Sequence, residues 1–229
     1  MAKLDSIDVG RRKQLFLDPA LTDSCTGLLS TTHPAQRTGA PLLTADAPWE
    51  KDLYIGYYGS VLKDNDKIRV WYFLTNDRVR CVCYAESGDG IHFEKPILNL
   101  HELNGSRQNN VVLPGPDGGG CVWIDFDAPA DQRYRSQTKS YPGWPDDNTQ
   151  KQEFRMYASP DGFHWKRTPC EMPGDCDTQS ICFRDPRINR YVIYTREWIR
   201  FNEPARNYRV VRRLESDDLT RWDNQQIVM

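Results

Sequence analysis

Apolar and polar residues alternate with a period of two through much of the chain, and clusters of Gly, Pro, Asn and Asp interrupt the alternation. The first convincing block predicts strands at 59–64 and 68–73 around a turn at Asn65-Asp66. A third strand at 80–86 runs into Ser87-Gly88-Asp89-Gly90, and Phe93 and Lys95 begin an outer edge. Strands joined in this order by tight turns make a four-stranded antiparallel meander. A second unit is expected to start with a strand at 109–113 and a turn at Pro116-Asp117-Gly118-Gly119-Gly120. Strands at 121–126, 134–139 and 154–158 follow, with loops at 127–132 and 141–149. The third unit reads 178–183, 190–196 and 208–214, and Trp222 opens its edge. Ahead of Trp49 the pattern is weaker, with short apolar runs at 15–17 and 28–32.

One turn recurs in all three units. Ser87-Gly88-Asp89-Gly90-Ile91-His92-Phe93 is matched by Ser159-Pro160-Asp161-Gly162-Phe163-His164-Trp165 and by Ser216-Asp217-Asp218-Leu219-Thr220-Arg221-Trp222. The Asp side chain can bond its own backbone, and the Gly after it is free to take a positive φ. The third copy has Leu219 in the Gly position, so a different turn geometry or a longer loop is expected there. Recurrence makes His92 and His164 structural, and the aromatic closes over a hydrophobic edge.

A repeated meander predicts an all-β propeller, with blades of roughly 55–100, 108–170 and 176–229 in a single domain spanning 1–229. Residues 1–54 would supply N-terminal strands or a strap. A β-sandwich is the alternative, but it does not predict the same turn before each fourth strand. A propeller typically needs four or more blades. Three units therefore suggest a fragment or truncated gene product, with open blade edges available for self-association. The run Leu15-Phe16-Leu17 would cover one such edge.

Composition narrows the function classes. The chain of 229 residues carries 30 basic and 32 acidic side chains, so no global field favours nucleic acid. No apolar run is long enough to span a membrane. The start lacks the apolar core of a signal peptide, which predicts a cytoplasmic protein. The seven Cys are an odd number. Cys81 and Cys83 would share one side of a strand, and no second pair completes a zinc site, so buried free thiols are expected. No motif calls for a cofactor or a metal.

Lys13-Gln14-Leu15-Phe16-Leu17-Asp18, Tyr58-Gly59-Ser60-Val61, Arg69-Val70-Trp71-Tyr72 and Tyr84-Ala85-Glu86-Ser87 form a recognisable set. Asp177-Thr178-Gln179-Ser180, Phe183-Arg184-Asp185-Pro186-Arg187 and the third turn complete it. Together they resemble the five-bladed β-propeller glycoside hydrolase superfamily, with its invertase-like and arabinanase/xylosidase-like families. More narrowly they are similar to bacterial proteins of the glycosyl hydrolase family 32-like kind.

The resemblance implies a carbohydrate substrate in an axial funnel and two carboxyl groups with separated pKa values. Some members of the superfamily also hold a calcium ion near the axis. Asp177, just before the third unit's inner strand, is the first candidate carboxylate, followed by Glu197 and Glu50. Trp49 could be a sugar platform, and Arg107, Gln179, Arg196 and Arg212 polar partners of a sugar or uronate. Asn109 and Asn110 stand where the superfamily often has an acid, which leaves them sugar-hydroxyl binding. Asp185 lies in an Arg-Asp-Pro triplet similar to an invertase-like motif, but also in a predicted turn, and the turn is the preferred reading. Asp125 and Asp127 could line the rim of the second unit. A catalytically inactive carbohydrate-binding relative and a scaffold propeller for a protein partner are the alternatives to an enzyme.

Overall fold

The computed structural model describes residues 10, 22, 24–29, 31–115, 118–140, 153–173, 179–201 and 206–228. Two compact units divide the chain, Met1–Ala40 and Pro41–Met229. The proposed covering run at 15–17 lies outside the described residues. Among the described residues, the strands belong to the second unit, in three four-stranded antiparallel sheets.

The first sheet holds β1 (Tyr54–Asp64), β2 (Lys67–Thr75), β3 (Arg80–Ser87) and β4 (Val111–Pro114). The second holds β5 (Gly118–Ile124), β6 (Tyr134–Lys139), β7 (Phe154–Ser159) and β8 (Lys166–Thr168). The third holds β9 (Ile181–Asp185), β10 (Arg190–Phe201), β11 (Arg206–Ser216) and β12 (Asp223–Ile227). Each is a meander in sequence order, consistent with a propeller-like architecture, and the three sheets do not close a ring.

One strand belongs elsewhere than expected. The 109–113 run does not open the second unit. Val111 and Leu113 pair with Cys83 and Val82, so β4 completes the first sheet. The outer strand of that sheet is interrupted: Glu94 bridges Glu86, the chain then leaves, and it returns at Val111. The sequence pattern shows an apolar run at 111–113 but not its partner. With β4 assigned to the first sheet, the second unit also has one strand after its turn, and the three meanders become regular.

The recurring turn has one geometry in all three copies. Ser87 Oγ accepts the Gly90 amide at 2.8 Å, Ser159 Oγ accepts Gly162 at 2.9 Å, and Ser216 Oγ accepts Leu219 at 2.9 Å. Asp89, Asp161 and Asp218 each accept two further amides. Leu219 takes φ +66°, beside +79° for Gly90 and +85° for Gly162. The expected change of turn therefore does not occur. A left-handed Leu costs about 1 kcal/mol or more. Its burial beside Trp222 and Leu214 returns about 2 kcal/mol, so packing offsets the strain.

One core lies behind the first sheet and two lie at the seams between sheets. Trp71, Tyr84, Val122 and Tyr134 meet between the first and second sheets, and Trp123, Cys182, Ile193 and Leu214 between the second and third. Trp71 Nε1 donates to the Gly162 carbonyl at 2.8 Å, which seats the second turn on the first sheet. A Cβ on Gly162 would lie 2.6 Å from Trp71 Cζ2, so this position needs glycine for space as well as for φ. Four thiols, Cys81, Cys83, Cys121 and Cys182, are buried, while Cys25 is exposed. Cys81 and Cys83 do share one side of β3, their sulfurs 3.8 Å apart.

Candidate functional site

The candidate residues separate into two groups. The first gathers behind the first sheet. The 3-10 helix Pro48–Glu50 carries Glu50 at its last position, and Glu50 Oε2 accepts the Ala47 amide at 2.9 Å. Oε1 of the same carboxylate accepts the Tyr72 phenol at 2.6 Å, and Lys95 closes an ion pair on Oε2. Tyr72 in turn accepts Asn110 Nδ2 at 2.7 Å, and Asn110 Oδ1 accepts the Trp49 indole N–H at 2.9 Å. Burial foremost, with Cys83 and Glu50 nearby, holds the Tyr72 phenol far above its usual range and so protonated.

This network bears on several expectations. The Glu50 side chain is closed to solvent, and both of its oxygens are occupied by the chain itself. It pins a short helix to a sheet and does not face an opening. Asn110 spends its amide on Tyr72, Tyr84 and Trp49. Asn109 spends its own on the His101 and Ser106 carbonyls and the Val111 amide. Both asparagines tie down the excursion at 95–110, so neither has a free group for a sugar hydroxyl. Arg107 is exposed on that excursion. Trp49 lines an open cleft of about 510 Å³ with Asp52, Asn104 and Gln108.

The second group lies at the start of the third sheet. Gln179, just before β9, donates to the Gly59 carbonyl at 2.8 Å and accepts the Gly59 amide at 3.4 Å. Its side chain thus imitates a strand residue and joins the third meander to β1. Ser180 donates to Thr195 at 2.8 Å, so the inner strand is tied to β10 where it begins. Beyond Tyr194, which pairs with Ile181, β10 continues past the start of β9. Here Glu197 meets Arg212, Nη1 to Oε2 at 2.9 Å. Arg212 lies opposite Thr195 in the ladder, so the pair is a cross-strand diagonal on one face. The guanidinium is 1% exposed and also donates to the Pro173 carbonyl at 2.5 Å.

Arg196 projects to the other face, its guanidinium 5.9 Å from the Trp198 ring centre. A cavity of about 320 Å³ opens beside this strand, lined by Gln179, Ile181, Tyr194, Thr195, Arg196 and Arg209 among others. Asp177 lies outside the described residues, so its place relative to Glu197 is not part of the geometry.

The remaining candidate acids are paired within the fold. Asp185 accepts the amide and guanidinium of Arg187, which holds its carboxyl down to about 2 and fits the turn reading. Asp125 is buried and accepts the Tyr191 phenol at 2.6 Å, and Asp127 pairs with Arg184 at 2.8 Å. The repeated turns pair Asp89 with His92 and Asp161 with His164, each at 2.7 Å. Sequence reasoning passed over Asp64. It pairs with Arg133 at 2.6 Å and accepts the Tyr134 phenol. Arg133 is the main cause that holds Asp64 down to about 2, against the opposing effect of burial. Among the described residues no cluster of three or more His, Cys, Asp or Glu could hold a metal ion. No described helix is long and apolar enough to cross a membrane.

No family model matches the sequence, and no curated protein matches it. Solved structures do resemble the fold. A protein described as a glycoside hydrolase superposes with a TM-score of 0.56 at 14% identity, over 79% of this chain and 58% of that one. An N-acetylgalactosamine deacetylase from F. plautii, in complex with blood group B trisaccharide, gives 0.51 at 13%, over 75% and 51%. A fructofuranosidase from Schwanniomyces occidentalis, complexed with fructosylnystose, gives 0.50 at 14%, over 74% and 33%. The chain spans less than two thirds of each of these structures. At such identities the likeness establishes the fold alone.

Proposed function

We propose that this chain is part of a five-bladed propeller of the glycosyl hydrolase family 32/43-like kind, and that it acts on a carbohydrate. In this reading Glu197 and Asp177 are the two carboxyl groups that hydrolyse a glycosidic bond. The observation that carries it is the Glu197–Arg212 pair at the open start of the third sheet, beside Gln179. A guanidinium that is itself buried fixes the carboxylate's orientation and balances its charge. Hydrolysis needs a second carboxyl in a different environment. Asp177, two residues before Gln179 in the chain, is assigned that role. Arg212 would hold Glu197 in place, and Gln179 and Arg196, which line the adjoining cavity, would face the sugar.

A non-catalytic carbohydrate-binding role is the second reading. It is favoured by the first sheet, where Glu50, Asn109 and Asn110 are all committed to the fold. Turnover of aryl glycosides separates the two. The enzyme reading expects Glu197→Gln and Asp177→Asn each to lower kcat by at least about a hundredfold, with the folded circular-dichroism spectrum kept. Equal turnover in both variants would sink the assigned pair. Calorimetric sugar binding without turnover in the wild-type chain would favour the second reading.

A further inference from the structure

The cleft beside Trp49 collects polar side chains that the fold does not use. It opens between the 3-10 helix Pro48–Glu50 and the excursion at 95–110, and its 510 Å³ or so lies within the range of small-molecule sites. Trp49, Ile97 and Leu103 are its main apolar lining, and Lys51, Asp52, Asn104, Ser106 and Gln108 its polar lining. Lys51, Asp52, Asn104 and Gln108 are exposed, and among the described residues none of these four side chains has a hydrogen-bond or ion-pair partner.

Both walls are fixed by buried groups. The Trp49 indole N–H donates to Asn110 Oδ1 at 2.9 Å, and Asn110 Nδ2 donates to the Tyr72 phenol and the Tyr84 carbonyl at 2.7 and 2.6 Å. Trp49 packs against the core behind the first sheet and turns its remaining surface to the cleft. The ring is therefore held in place without a ligand. The opposite wall is a small hairpin, in which Leu103 and Ser106 exchange both backbone bonds, at 2.9 and 3.1 Å. Its central residues, Asn104 and Gly105, take φ +51° and +81°, as a tight two-residue turn requires. Asn109 anchors the hairpin by donating to the Ser106 carbonyl at 2.9 Å. Buried asparagines thus hold the walls, while Asn104 and Gln108 line the opening.

The lining selects a class of ligand. The fixed indole and Ile97, which is 51% exposed, give an apolar floor. Two side-chain amides offer donors and acceptors around it. Ser106 Oγ accepts the Gln108 amide at 3.1 Å and keeps its own hydrogen to donate. Lys51 and Asp52 carry opposite charges, so the lining has no net charge and favours a neutral ligand. An apolar ring face edged by hydroxyls, the surface of a pyranose, matches this arrangement.

We propose that this cleft binds a neutral sugar, with one pyranose ring stacked on Trp49 and its hydroxyls bonded by Asp52, Asn104 and Gln108. Preformed walls keep the ordering cost of binding low. The cleft shares no lining residue with the cavity beside Arg196. The inference therefore holds whether or not Glu197 and Asp177 hydrolyse a glycosidic bond.

The test is nitrogen-edited NMR of the full chain, titrated with maltose, cellobiose, lactose, sucrose and xylobiose. Adenosine serves as a flat aromatic control. Each is added to about 10 mM, enough to detect millimolar binding. The expected result is that a sugar of this set shifts the Gly105 amide and the Trp49 indole N–H, and that adenosine does not. Trp49→Ala then weakens binding by at least about tenfold. Because Trp49 also packs on the core, Gln108→Ala is the second arm. It lies at the exposed rim and should weaken binding about three- to tenfold with the unfolding midpoint unchanged. Glu197→Gln leaves the shifts as they are. No shift with any of the sugars overturns the proposal, as do shifts that survive either cleft substitution. Tighter binding of adenosine would assign the cleft to a flat aromatic ligand instead. Loss of the shifts in Glu197→Gln would move the sugar to the other cavity.

Discussion

The first and third sheets each present a face to something other than the second sheet, and the two faces are finished differently. Behind the first sheet, Val70, Tyr72, Leu74, Cys83 and Leu103 form a core with Leu53, and Leu43, Ala45 and Trp49 pack against it. The chain before the sheet and the excursion between β3 and β4 supply that cover, and Glu50, Lys95 and Asn110 fasten it. The outer face of the third sheet carries Phe183, Tyr194 and Val211 only half-buried. One meander can thus be capped by its own flanking segments or left with a face suited to another sheet. The difference lies in the flanks, because the turns and registers are the same.

Breaking the cap has the largest expected effect. Glu50→Ala leaves Lys95, Tyr72 and the Ala47 amide without their shared acceptor. It should destabilise by about 3–5 kcal/mol, the usual cost of unpairing a buried charge, read by denaturant unfolding. A near-neutral outcome would return Glu50 to the functional candidates. A smaller effect is expected at the seam. Tyr191→Phe removes the phenol from Asp125, which keeps Arg135 at 3.7 Å and the Asp127 amide at 3.2 Å. The expected loss is about 1–2 kcal/mol in the same measurement. An unchanged midpoint would mean that the aspartate–tyrosine contact does not hold the sheets together. The smallest effect belongs to the uncovered face. Tyr194→Ala should cost about 1 kcal/mol in thermal unfolding, since the side chain is only partly buried. A loss of core size there would show that the face is already covered in solution.

The repeated turn was legible in the sequence because it is local. Ser, Asp and the residue after Asp bond within four positions of one another, so no distant partner can change the outcome. Even the Leu219 copy keeps that geometry, since the Ser and Asp side chains specify it and burial offsets the strain. Period-two alternation likewise marked most strands, and the third meander emerged nearly as expected.

Partnership was not legible in that way. The 111–113 strand had the right composition for either neighbouring sheet, and a chain excursion decided which β3 edge it joined. Glu50 and Asn110 had the right chemistry for a sugar site, yet partners 22 to 61 positions away claimed their hydrogen bonds. Glu197 gained its buried guanidinium because the register sets Arg212 diagonally across the ladder. Sequence by itself determined the turns, the strand pattern and the number of meanders. Tertiary structure alone decided which acids are held by the fold and which stand near an opening. The physical reason is range. A turn is settled by neighbours in the chain, whereas the state of a polar side chain depends on partners that only the folded register brings within reach.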